Sequence, residues 1–287
     1  MSSVDGMRLT VLVDDSANPQ RPELIAKHGL SFFIELKASG RPTNLLIDAG
    51  QSADILLQNS KKLNIDLKKV NSIVLSHGHY DHTGGLLGIL KHIDEKVPVI
   101  FHPEALKPKF VSKKRRLKKA GIPFKVSELE RSSGVLNPNR GPTSIMPGVC
   151  VSGEIKRVSL LEKVKGFKTL EESKLIEDHM PDDQALFVIV KDKGLIVITG
   201  CAHAGLINTI KQAQRMTGSN EVYAAIGGFH LAGAGAERIK ATIDELRKAG
   251  IKTIMPCHCT GKRAITRFSE AFGNKCRQLT TGNVIEF

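Results

Sequence analysis

The sequence predicts a mixed, layered fold, α/β or α+β. Three observations predict it. Short runs of branched apolar residues, of strand length, recur from one end to the other. The first three are joined by short connections, as in an antiparallel meander. A recurring device is a strand that ends in a small loop bearing glycine and histidine, followed by a helical pattern. His77, His203, His230 and His258 all occupy such places.

Taken in order, residues 8–13 (Arg-Leu-Thr-Val-Leu-Val) form a strand, and 14–22 a polar, proline-bearing loop. Residues 31–36 make a second strand, Gly40-Arg41-Pro42-Thr43 is turn chemistry, and 44–47 a third strand that ends at Asp48-Ala49-Gly50. Ser52 can cap a helix over 53–63. The apolar run 73–75 leads into a histidine-rich loop, followed by a helix over 86–93 and a strand over 97–101. Residues 131–147 read as loop, punctuated by Ser-Ser-Gly, Asn-Pro-Asn-Arg-Gly-Pro and Pro-Gly. Residues 149–151 are short and strand-like, while 160–180 are charged and weakly patterned, so about 104–180 is expected to be an insertion or lid on one domain spanning 1–287. The second half holds a hairpin over 185–190 and 195–199, a helix from 206 to about 216, a strand over 221–226, an amphipathic helix over 236–249 and a strand over 253–255. A further helix and short strands at 278–279 and 284–285 complete it.

Composition is that of a soluble globular chain: 41% hydrophobic, 25% charged, mean hydropathy −0.11. No uncharged apolar run approaches the roughly 18–20 residues that span a bilayer. The first residues lack a basic segment followed by an apolar one. A cytoplasmic protein with no membrane partner is expected. Five cysteines, an odd number without a C-x-x-C pair, argue against a disulfide framework. A net charge of +13 favours anionic partners, phosphorylated small molecules before nucleic acid. Much of that charge lies between Lys107 and Lys119, where Phe110 alone is aromatic. The run reads as a solvated lysine-rich helix or loop face, or as an electrostatic collar for an anionic substrate, and not as a base-stacking surface.

The stretch that carries chemistry is His77-Gly78-His79-Tyr80-Asp81-His82, four potential ligands in six positions of a chain with ten histidines. In an extended loop His77 and His79 point the same way and can close on one ion. Asp81 and His82 can reach a second. Imidazole with carboxylate suits a borderline divalent ion, zinc foremost, with iron or manganese as alternatives. Asp48, at the end of its strand, reads either as a turn residue or as a carboxylate that orients a ligating histidine.

The H-x-H-x-D-H pattern, Asp48 after its strand and His258 after a late strand resemble the metallo-β-lactamase-fold superfamily over the whole chain. The resemblance implies a four-layer αββα sandwich with one or two metals at one end of two facing sheets. Further stretches, among them Gly153-Glu154-Ile155-x-Arg157, Asp182-Asp183-Gln184, Gly200-Cys201-Ala202-His203 and Pro256-Cys257-His258-Cys259-Thr260-Gly261, are similar to the dihydropteroate-synthase-like branch of 7,8-dihydropterin-6-methyl-4-(β-D-ribofuranosyl)-aminobenzene-5′-phosphate synthases. It implies condensation of a dihydropterin-methyl pyrophosphate with a ribofuranosyl-aminobenzene phosphate. The rival expectations are hydrolysis of a phosphodiester, thioester or lactone, and a non-catalytic anion- or metal-binding module. Where many superfamily members carry a bridging aspartate, this chain has Cys201.

On this resemblance the metal ligands are His77, His79, Asp81, His82, His203 and His258. Cys201 is an alternative at the unusual position, with His179 and Asp183 in reserve. Asp81 and His230 are the catalytic candidates. Arg157 and His230, with the cluster from Lys113 to Lys119, are the candidates for substrate phosphate.

Overall fold

The computed structural model describes residues 2–38, 41–113, 116–159 and 161–287. Gly40 of the expected turn, Lys114 and Arg115 of the basic run, and Leu160 lie outside the described residues.

Two large sheets face one another. One has seven strands, in the order Val284–Glu286, Gly6–Val13, Ser31–Ala38, Arg41–Ile47, Ser72–Val74, Val97–Phe101 and Gly134–Pro138. The other has six, in the order Thr253–Cys257, Val222–Gly228, Gly194–Thr199, Ala185–Val190, Val149–Val151 and Thr143–Met146. The period-two alternation of a strand sorts their side chains. In the strand Ala185–Val190, Leu186, Val188 and Val190 point into the core between the sheets, and Ala185 and Phe187 point outward. Leu45 and Ile47 likewise face inward, with Leu46 between them facing out. Each such leucine or isoleucine, fully buried, contributes about 1.5–3 kcal/mol.

The outward apolar residues need cover, and helices supply it. Leu46, Ile73 and Val99 pack beneath Ala53–Lys62 and Leu86–Ile93. Phe187, Val197 and Ala225 pack beneath Leu206–Thr217, Ala236–Lys248 and Lys262–Phe272. The order of layers is therefore helix, sheet, sheet, helix, as the resemblance implied. The antiparallel meander over the first three long strands is present. Among the described residues no helix is long and apolar enough to cross a membrane.

Two regions differ from the sequence expectation. Residues 131–147, expected as loop, hold the strands Gly134–Pro138 and Thr143–Met146. Both lie at sheet edges, where pairing is by backbone and apolar alternation is not required; Pro138 ends an edge strand, where it is tolerated. Among its described residues the basic run forms no helix. Lys109–Lys113 and Arg116–Lys119 pair as a hairpin, joined by Phe167–Glu171 and Lys174–Glu177 into a small four-stranded antiparallel sheet. Its outer strands are charged and solvent-facing, so sequence periodicity is weak there.

One buried ionic contact ties this small sheet to the rest. Lys109 Nζ lies 2.8 Å from Asp178 and 2.8 Å from Asp182. Asp182 also accepts the backbone N–H of Gly78, inside the histidine-rich loop, at 2.8 Å.

Candidate metal centre

Strands that run parallel within each sheet end at the same edge, and the ligand-bearing loops begin there. Asp48 follows Arg41–Ile47, the histidine-rich loop follows Ser72–Val74, Cys201 to His203 follow Gly194–Thr199, His230 follows Val222–Gly228, and His258 follows Thr253–Cys257. The turns are sharp. Asp48, Ala202, His230 and His258 all have left-handed backbone, with φ of 58°, 53°, 45° and 48°. Each costs about 1–2 kcal/mol in a non-glycine residue and persists because the surroundings fix it.

Five overlapping groups of three potential ligand atoms are found among the described residues; two match the expected centre, and two others are Cys201 with His230 and Cys259, and Asp15 with His28 and His258. His77, His79 and His203 each present one ring nitrogen within 4.8 Å of the others, and all three are buried. His77 Nε2 stands 2.9 Å from His79 Nδ1, and its Nδ1 stands 2.9 Å from Ser76 Oγ. Asp81, His82 and His258 form the second group by the same measure. His82 Nε2 and His258 Nε2 face one another at 3.2 Å, and Asp81 Oδ2 is 3.6 Å and 3.4 Å from them. Cys201 Sγ lies 3.2 Å from His82 Nε2 and, with His77 and His82, makes a third overlapping group between the two.

Further carboxylates set the rings. Asp48, fully buried, meets His82 Nδ1 at 2.6 Å and accepts from the Ser76 amide and hydroxyl at 2.7 and 2.6 Å. Gly200 makes this possible, because a Cβ there would stand 2.0 Å from Ser76 Oγ. Asp15 meets His258 Nδ1 at 2.6 Å and His28 Nδ1 at 2.9 Å, while Asp14 accepts the His258 amide at 2.8 Å. Each ring nitrogen engaged this way directs the opposite nitrogen into the centre.

Electrostatics divide the site. Burial and neighbouring imidazoles hold His77 and His203 well below the usual histidine range. Burial holds His79 down at about 3. These are neutral rings, the form that donates a lone pair to a metal. Burial raises Asp81, but His82 and His258 outweigh it and hold the carboxyl far below its ordinary value. Burial pushes Asp183 up to about 7, against the amides of Ala204 and His203.

A divalent ion fits the donor set. Among the described residues, both ring nitrogens of His203 are buried without a hydrogen-bond partner. Such groups cost about 1–3 kcal/mol each if left so. Ligands about 2.0–2.1 Å from a tetrahedral zinc stand about 3.4 Å apart, close to the facing His77–His79 and His82–His258 separations.

Of the remaining expected site residues, His230 joins Cys201 and Cys259 in a group of potential ligands, and the others fall outside the ligand groups. His230 adjoins His203, with ring centroids 4.2 Å apart, and its Nδ1 has no partner. The Arg157 guanidinium donates to the carbonyls of His179 and Met180. Lys118 and Lys119 lie on the outer hairpin. Asp183 holds the Ala204 amide and, like His179, belongs to none of the ligand groups found among the described residues. Sequence reading missed Asp15, although it follows a buried strand just as Asp48 does. It also missed Phe167, whose ring lies 5.2 Å from His79 and 4.9 Å from His203.

Comparison with known proteins agrees with this geometry. The model of the metallo-beta-lactamase superfamily, whose members bind divalent metals, matches residues 26–258. The chain is 37% identical to a Methanocaldococcus jannaschii protein named 7,8-dihydropterin-6-methyl-4-(beta-D-ribofuranosyl)-aminobenzene-5'-phosphate synthase, over 100% of this chain and 99% of that one. It is similar to the solved structure of Tm1679, described as a metal-dependent hydrolase of the beta-lactamase superfamily, at 30% identity and a TM-score of 0.80, covering 98% and 99% of the two chains. The metallo-beta-lactamase fold protein YhfI from Bacillus subtilis shares the fold, at 14% identity and a TM-score of 0.57 over 99% and 100%. With a family model spanning most of its length and a full-length synthase relative, this chain is an enzyme of the metallo-beta-lactamase superfamily.

Proposed function

We propose that the enzyme joins a dihydropterin-methyl pyrophosphate to a ribofuranosyl-aminobenzene phosphate, releasing pyrophosphate. Full-length similarity to the M. jannaschii synthase carries this reading. In the proposed step the arylamine nitrogen attacks the methylene carbon, the carbon–oxygen bond breaks, and pyrophosphate leaves with the electron pair while the nitrogen loses a proton. One or two divalent ions, zinc foremost, would supply Lewis acidity toward the leaving oxygens.

His77, His79 and His203 would hold one ion, and Asp81, His82 and His258 the other. Cys201 lies between the groups, where its thiol can serve either. Asp48 and Asp15 would fix the tautomers of His82 and His258 by accepting hydrogen bonds from their Nδ1–H groups. Asp81 is surrounded by imidazoles, with His28 Nε2 at 3.3 Å, so it acts as a ligand and not as the base. His28 is half-exposed and held between Asp15 and Asp81, so it would orient these two carboxylates while the amine proton passes to solvent. His230 would touch substrate. The small sheet, which sets Phe167 over His79 and His203, would act as a lid that excludes water. The partner is then an anionic small molecule, and a cytoplasmic location agrees with such a substrate.

A second reading is metal-dependent hydrolysis of a phosphodiester, thioester or lactone, favoured by the likeness to Tm1679. One experiment separates them. Metal-quantified protein is given the pterin pyrophosphate with the arylamine phosphate, and separately simple diesters, thioesters and lactones. Coupled product without generic hydrolysis supports the synthase; turnover of the simple esters alone overturns it. His79→Ala and Asp81→Ala should lose metal and activity together.

A further inference from the structure

A cavity of about 220 Å³ opens beside the metal centre, where residues 163–167 approach the start of the helix Ala236–Lys248. His203 and His230 form its inner end and Phe167 part of its wall; Lys163, Lys165 and Arg238 line it from the outside. Among the described residues none of these three cations is ion-paired to a carboxylate. Arg238 Nε is buried with no acceptor, and so is His230 Nδ1 on the facing side. Glu162 is adjacent, but its carboxylate accepts the amides of Ile207 and Asn208 at 2.9 and 2.8 Å.

Buried polar atoms without partners are costly, and here the Arg238 Nε donor and the His230 Nδ1 nitrogen meet in one cavity with three cations that no carboxylate pairs. A phosphoryl group supplies what they lack: several strong acceptor oxygens and negative charge, in the geometry that a guanidinium matches. We propose that this cavity is a phosphoryl-binding subsite, in which Arg238, Lys163 and Lys165 hold a phosphate or diphosphate of the substrate and so direct the rest of it toward His203 and His230. The proposal rests on the reading that the substrate is phosphorylated. It places the anion-holding role on residues other than Arg157 and the outer lysine hairpin. Arg238 is half-buried and dominates; Lys163 and Lys165 are exposed, so each contributes weakly and is screened by salt.

Calorimetric titration of metal-loaded protein tests this, with inorganic pyrophosphate and ribose 5-phosphate as probes and bound metal followed in the same samples. Arg238→Gln should weaken binding of at least one probe tenfold or more, Arg238→Lys less, and Lys163→Gln with Lys165→Gln several-fold, with a smaller salt dependence. Loss for pyrophosphate alone assigns the subsite to the diphosphate, and loss for ribose 5-phosphate alone assigns it to the phosphate ester. Lys118→Gln with Lys119→Gln should change nothing. Unchanged affinity in a folded, metal-loaded Arg238→Gln variant overturns the proposal, as does a loss confined to the Lys118/Lys119 variant. Neither probe reports the condensation reaction, so the subsite stands or falls independently of the synthase assay.

Discussion

Replacing Lys109 by methionine isolates the contact that joins the small sheet to the histidine-rich loop. The lysine and its two partners are almost wholly inaccessible, with side-chain exposures of 2%, 3% and 0% for Lys109, Asp178 and Asp182. Methionine keeps most of the volume and removes the cation, leaving two buried carboxylates without counter-charge. Breaking a buried pair in this way costs about 3–5 kcal/mol, against about 0–1 kcal/mol for an exposed pair. Urea unfolding at pH 7, extrapolated linearly to water, should therefore show a loss of about 3–5 kcal/mol. Removing one of the stranded carboxylates, in Lys109→Met with Asp178→Asn, should restore part of it. The pH dependence has a definite sign. Burial works against the charged lysine, but Asp182 and Asp178 outweigh it and raise its pKa above the ordinary 10.5. A raised basic group stabilises the fold fully below its unfolded pKa and ceases to do so as pH rises through the folded one. The wild-type advantage should stay level from pH 6 to 9 and shrink above about 10.5. A loss under about 1 kcal/mol at pH 7 would refute the assignment of this contact as a buried ionic tie.

Asp48→Ala should weaken metal binding about 10- to 100-fold, measured by competition with a chromophoric chelator; unchanged affinity in a folded variant removes the role given to the Asp48–His82 contact. Gly200→Ala drives a Cβ to 2.0 Å from Ser76 Oγ and should lower stability by about 1–3 kcal/mol in thermal unfolding, with metal affinity falling as well. For Asp183, burial sets a folded pKa of about 7 against the ordinary 3.8, so the unfolded chain ionises first as pH rises. The wild type should lose up to about 1.4 kcal/mol per pH unit across that window and level off above it, while Asp183→Asn does not; parallel stability–pH curves would contradict this.

The sequence disclosed what local pattern can encode. His77 to His82 lie within one loop, so their spacing alone announced a metal motif, and buried strands of two-residue period announced the sheets. Asp15 was hidden because its partner, His258, is 243 positions away, and a carboxylate in a polar loop carries no local sign of such a contact. Phe167 and Arg238 were hidden for the same reason. They matter through the cavity that they share, and neither lies in a motif. The small sheet escaped notice because charged edge strands pair through backbone groups and lack the alternation that burial imposes.

The division of the ligand groups between the two sheets bears on how the protein matures. His77 to His82 hang from the seven-stranded sheet, and His203 and His258 from the six-stranded one. His82 and His258 meet across 176 positions of chain. A nascent polypeptide thus displays half of a chelating set long before the other half has been translated. An ion held by both halves acts as a latch between the layers, drawing its affinity from their docking and returning it as resistance to their separation. Amide exchange in the strands of both sheets should then slow together on metal loading, as one cooperative block, while the charged outer hairpin continues to exchange at its own pace.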